Sequence, residues 1–163
     1  MPNETLSAVI TIQAPPEVVF AVLADSTSHA AIDGTGWVRE SLGGERLTES
    51  GQIFRMAMYH DNHPDKTYEM ANEVRAFDQP RTISWEPGQY DADGNLGLGG
   101  WEWRYDLNPV GESATEVTLT YEWSQVPPAF REVIQFPPFP PQHLDNSLSH
   151  LAELAVAQRA SAG

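Results

Sequence analysis

Hydrophobic residues recur at two different periods along this chain. Near the C-terminus, Leu144, Leu148, Leu151 and Ala155 return every three or four positions, and Leu154 widens the stripe. Asp145, Ser149, Glu153 and Gln158 fall mostly elsewhere on the wheel. That spacing predicts one long helix over 141–159. Pro141 suits its first position, and Arg159 suits the negative end of the helix dipole. Such a helix would be about 28 Å long at 1.5 Å per residue, and it cannot bury its stripe alone.

Between 41 and 124 the period is two. Phe54, Met56 and Met58 share one parity against Ile53, Arg55 and Ala57. Tyr68, Met70, Asn72 and Val74 oppose Glu69 and Glu73, which must face outward, because an inward flip would bury two unpaired carboxylates. Residues 81–86 form a further strand after a turn at Pro80. The clearest pair sets Trp101, Trp103, Tyr105 and Leu107 against Glu102, Arg104 and Asp106, then Val117, Leu119, Tyr121 and Trp123 against Thr118, Thr120 and Glu122. Residues 111–114 join these two as a hairpin. A further candidate strand covers 37–42.

Ahead of these, 6–12 is a β-branched strand with Ala8, Ile10 and Ile12 on one side. Pro15 and Pro16 open a short helix over 17–24, whose buried face is Val19, Phe20 and Leu23. Asp25 and Ser26 cap a second short helix through His29 to Ile32, which Gly34 and Gly36 break. Two connections are read as long loops. One is Gly-rich, over 87–100; the other is Pro-rich, over 126–141, and carries Phe130, Val133, Ile134, Phe136 and Phe139. The pattern describes an α+β domain over 1–163 in which a sheet curls around one terminal helix.

Composition adds boundaries. With 23 acidic and 9 basic residues the formal net charge is −14, which argues against nucleic acid or an anionic membrane surface as partner. The absence of cysteine excludes disulfides and thiolate chemistry. No signal-peptide pattern and no apolar run of membrane-span length is present, so a cytoplasmic location without membrane insertion is the default expectation.

Three stretches carry a likeness to a known group. They are Ile10-Thr-Ile-Gln-Ala-Pro-Pro-Glu-Val-Val-Phe20, Val74-Arg-Ala-Phe-Asp-Gln-Pro-Arg-Thr-Ile-Ser-Trp85, and Trp103-Arg-Tyr-Asp-Leu-Asn-Pro109 with Thr115-Glu-Val-Thr-Leu-Thr-Tyr-Glu-Trp123. Their order and spacing resemble the helix-grip superfamily of START-related lipid-transfer domains, polyketide cyclases/dehydrases and the birch-pollen allergen group. The resemblance implies a seven-stranded antiparallel sheet with the first strand beside the last, two short helices after strand one, and a hydrophobic cavity under the last helix. It does not imply a reaction, because the group includes carriers, receptors, enzymes and chaperone cofactors.

Candidate ligand contacts follow from the dry parity and the last helix: Phe54, Met56, Met58, Tyr68, Met70, Asn72, Trp85, Trp101, Trp103, Tyr105, Tyr121, Trp123, Leu144 and Leu148, with Trp37 beside them. Any one of these rings is ordinary core material, but so many on one face exceed what a Leu/Ala helix fills. His29, Asn72 and Tyr105 are the candidate catalytic groups. His29 either donates to a ligand carbonyl or acts as acid/base, or is an exposed helix histidine. Asn72 either satisfies a neighbour or orients a ligand. Residues 60–65 gather metal-ligand types, but no third histidine is placed by spacing, and a solvated turn is the simpler reading. Asp91, Asp93 and Asn95 imitate the start of a calcium loop, yet its sixth position is Leu96, so a turn is expected. No metal and no cofactor is expected.

Three functions remain open: binding or transport of a small hydrophobic molecule (lipid-like, polyketide or aromatic), a polyketide cyclase/dehydrase-type enzyme, or a protein-interaction domain like the chaperone-ATPase activators, docking through 130–139.

Overall fold

A computed structural model describes residues 5–25, 28, 29, 32, 38–41, 46–59, 67–133 and 142–162. Eight strands and three helices are described: β1 (Thr5–Ile12), α1 (Pro16–Leu23), β2 (Val38–Ser41), β3 (Ile53–Tyr59), β4 (Thr67–Asp78), β5 (Thr82–Tyr90), β6 (Leu96–Leu98), β7 (Glu102–Val110), β8 (Ala114–Glu122), α2 (Pro128–Val133) and α3 (Gln142–Ala162). Seven strands form one antiparallel path in the order β1-β8-β7-β5-β4-β3-β2, and short β6 pairs with β5 off that path. The first strand therefore lies beside the last, with Ala8 opposite Leu119 and Ile10 opposite Val117. This is the helix-grip arrangement. The second short helix lies largely outside the described residues, although His29 and Ile32 are described and both are buried.

The alternation of polar and apolar residues produces one buried sheet face. Directly opposed residues fall into rows across it. Val74, Trp85, Trp103, Tyr121 and Leu6 make one row; Phe77, Ile83, Tyr105, Leu119 and Ala8 make the next. Between Val74 and Ala76 the β4–β5 register slips. The slip leaves Arg75 as the extra residue, so Val74 and Phe77 both reach the inner face. Ser84 Oγ accepts the Ala76 N–H at 3.0 Å, which secures the backbone group nearest the slip.

The long helix sits against this face. Leu144, Leu148, Leu151 and Ala155 are each at most 1% exposed, whereas Asp145, Ser149, Glu153 and Gln158 face solvent. The helix packs chiefly on β1, α1 and β8. Val19, Phe20 and Leu23 of α1 are fully buried, and Phe20 meets Phe77 edge-on at 5.2 Å. Thr115, buried in β8, donates from its hydroxyl to the Ala14 carbonyl at 2.7 Å and fixes the entry to α1.

Two expected loops contain regular structure. The stretch 87–100 is a continued hairpin: β5 runs on to Tyr90 and β6 returns beside it. Its turn is held by the Asp91 carboxylate, which accepts the N–H groups of Asp93 (2.8 Å) and Asn95 (2.9 Å), while Gly94 takes a positive φ of 86°. Those backbone bonds, that from Asn95 foremost, hold the Asp91 carboxyl below its ordinary pKa. The Pro-rich connection begins with a helical turn, α2, which Pro128 opens. Residues 134–141 lie outside the described residues. β4 also runs to Asp78, beyond the expected end at 74.

Candidate functional site

Ring side chains from neighbouring strands meet on the inner face. Trp85 and Trp103 are directly opposed on β5 and β7, and Tyr121 opposes Trp103 from β8. Trp103 lies 4.5 Å from Tyr121, and Tyr121 lies 5.6 Å from Trp123, both pairs tilted. Trp85 stacks over Tyr105 at 5.8 Å and meets Phe54 edge-on at 5.8 Å. These spacings are those of favourable aromatic pairs. Phe54, Met56, Met70, Tyr105, Tyr121 and Trp123 are buried, as are Leu144 and Leu148 above them. Met58, Trp85, Trp101 and Trp103 keep accessible surface while packing against the core. Burial raises the pKa of the Tyr121 phenol and keeps it protonated.

His29 is buried, not exposed at the helix surface. Its ring stacks on Trp85 at 4.8 Å with 20° between planes, and meets Phe54 edge-on at 5.3 Å. Nε2 lies 2.8 Å from the Leu23 carbonyl oxygen, which can only accept, so Nε2 carries the proton. Burial lowers the His29 pKa below 6.5, outweighing the raising effects of the Leu23 carbonyl and the Asp25 charge. The ring is therefore neutral at pH 7. Its Nε2–H is already committed to Leu23, which leaves no second N–H for a ligand carbonyl.

Asn72 lies opposite Phe54 on the β3–β4 pair, and its amide nitrogen donates to the Phe54 carbonyl at 3.3 Å. Part of its capacity thus satisfies a neighbouring strand. Tyr68 opposes Met58 through the backbone, while its side chain, like Trp37, lies outside the described residues.

Trp101 precedes β7 instead of lying in it, and Trp123 follows β8. The cause is a break at 99–101. Gly100 adopts φ 93°, its N–H donates to Glu86 Oε2 at 3.2 Å, and a Cβ on it would strike the Gln125 carbonyl. A Cβ on Gly99 would strike the Trp101 ring, so the indole folds back over the glycine.

His143 was not singled out by sequence pattern. It is buried in the first turn of α3, 5.9 Å from the Trp103 ring and edge-on to it. Ser147 is buried on the same side. Their spacing, four residues apart and leading to Leu151, was the available signal that the buried stripe is wider than its leucines.

Among the described residues no group of three His, Asp or Glu could hold a metal ion, and no helix is long and apolar enough to cross a membrane. Residues 60–65, with the metal-like cluster, and most of the 130–139 docking stretch lie outside the described residues.

A sequence profile of the family described as polyketide cyclase / dehydrase and lipid transport matches residues 4–155. No match was found among curated proteins. Among solved structures, a protein from Chromobacterium violaceum is 20% identical, covers 93% of this chain and 96% of its own, and has a TM-score of 0.63. A protein from Arthrobacter aurescens is 13% identical over 94% of this chain and 87% of its own, with a TM-score of 0.66. Norcoclaurine synthase from Thalictrum flavum, solved with a transition-state analogue, is 13% identical over 95% of each chain, with a TM-score of 0.63. At these identities the structural likeness establishes the fold alone.

Proposed function

Because the chain belongs to the polyketide cyclase / dehydrase and lipid transport family, we propose that it holds a small apolar molecule, aromatic or lipid-like, between the sheet and α3. The observation that carries this reading is the uneven burial of one continuous face. Ile83, Val117 and Leu119 are sealed, whereas Trp85, Trp103 and Met58 on the same face keep accessible surface. Large rings on the inner face of a closed core would be expected to lose that surface. Apolar burial would supply the affinity, at about 25 cal/mol per Å² before ordering costs. Native mass spectrometry of the purified chain tests this: a retained small molecule, or saturable binding of 1-anilinonaphthalene-8-sulfonate, is expected. A chain that carries nothing and binds no such probe would sink the reading.

A cyclase/dehydrase-type enzyme is the second reading, favoured by one observation. His29 is kept neutral among Trp85 and Phe54, where a base could take a proton from a bound chain. Water exclusion and orientation by the rings would then do most of the work. Under this reading His29→Ala abolishes turnover and keeps binding; loss of both together would count against it.

A further inference from the structure

His29 has two ring nitrogens, and among the described residues one of them has a hydrogen-bond partner. Nε2–H donates to the Leu23 carbonyl at 2.8 Å, which fixes the neutral tautomer and leaves Nδ1 as a lone-pair acceptor. Its other contacts are the stack on Trp85 and the edge contact with Phe54, neither of which offers Nδ1 a proton. Yet no buried side-chain nitrogen or oxygen among the described residues lacks a partner. Among the described residues the Nδ1 edge is therefore not sealed in apolar core, and the ring that carries it stacks on Trp85, which is itself only half-buried. An acceptor held rigidly on an aromatic wall, with its tautomer fixed from behind, is a selectivity element.

We infer that His29 Nδ1 accepts a hydrogen bond from the bound molecule, so that the site selects apolar ligands carrying an O–H or N–H group at one edge. This rests on the proposed ligand-holding function and specifies its ligand. A phenol, an enol or an indole fits; a plain hydrocarbon or an ether does not. Burial keeps the ring unprotonated at neutral pH, so the acceptor is available there. A ligand that lacked the donor would strand Nδ1 under apolar cover and lose affinity accordingly.

The test compares 1-naphthol with 1-methylnaphthalene, matched in size and differing in the donor, by titration of tryptophan fluorescence. His29→Phe keeps a ring against Trp85 and removes the acceptor. The ratio of the two affinities in wild type, divided by the same ratio in the variant, cancels the difference in hydrophobicity between probes. That quotient is expected to be about tenfold in favour of the naphthol, the scale of one hydrogen bond to a desolvated partner. A quotient within about twofold of one, with both probes still bound, overturns the role of His29 and leaves the binding function standing. Failure of both probes to bind wild type overturns the binding function and this inference together. Should the variant not fold, ¹⁵N signals of the wild-type imidazole decide. Nδ1 should be unprotonated in the free protein, and should shift with 1-naphthol and not with 1-methylnaphthalene. A protonated Nδ1, or one indifferent to 1-naphthol, refutes the assignment.

Discussion

The two ends of the inner sheet face are built from the same strands and behave differently. At one end Ile83, Leu107, Val117 and Leu119 are at most 2% exposed, and Phe20 of α1 closes on Phe77. At the other, Trp85, Trp103 and Met58 retain surface, and the groups nearest them include two histidines, His29 and His143. The first end uses branched aliphatic residues, which fill space completely at low polarity. The second uses rings with polar handles, which need partners when buried. The same alternation therefore makes core at one end and, on our reading, a receptacle at the other.

The largest way to break that contrast is at the sealed end. Leu119→Ala should cost about 2–5 kcal/mol in denaturant titrations, because its neighbours cannot collapse into the hole. Trp103→Ala at the other end should cost distinctly less stability, while weakening 1-anilinonaphthalene-8-sulfonate. Losing about 60 Å² of contact at ~25 cal/mol per Å² corresponds to roughly tenfold in affinity. If instead Trp103→Ala failed to fold, Trp103 would belong to the core and the contrast would vanish.

A smaller effect follows from His29. Its folded pKa lies below the unfolded value of 6.5, so between the two the unfolded chain binds the extra proton. The stability that this histidine contributes is complete above pH 6.5 and is lost as pH falls through the folded value. Thermal melts from pH 7.5 to 5 should show the decline, and His29→Phe should flatten it; an equal slope in both proteins would refute neutral burial. Smallest of all, Arg55→Ala on the outer face should change stability by about 0.5 kcal/mol or less, since its pairing with Glu69 at 3.6 Å is solvent-exposed on both sides.

Strand parity was the most legible part of the sequence. Glu69 and Glu73 did fix the orientation of β4, and the stripe of Leu144, Leu148 and Leu151 did mark the covered side of α3. What escaped were features decided by single backbone events. The slip at Arg75, the break at Gly99 and Gly100, and the hairpin closed by Asp91 depend on local hydrogen bonds that hydrophobic period does not encode. His29 escaped for another reason. Its burial comes from Trp85 and Phe54, more than 20 residues away, and no local pattern announces such a stack. For the candidate site, the sequence supplied the ring inventory but not which rings keep surface, because that depends on how α1 and α3 divide the face between them.

The most direct measurement is a crystal structure of the protein soaked with 1-naphthol. The account predicts a planar molecule in the space beside Trp85 and Trp103, its hydroxyl within hydrogen-bond distance of His29 Nδ1. Rings packed directly against Leu144, Leu148 and Leu151, with no molecule between sheet and helix, would contradict it.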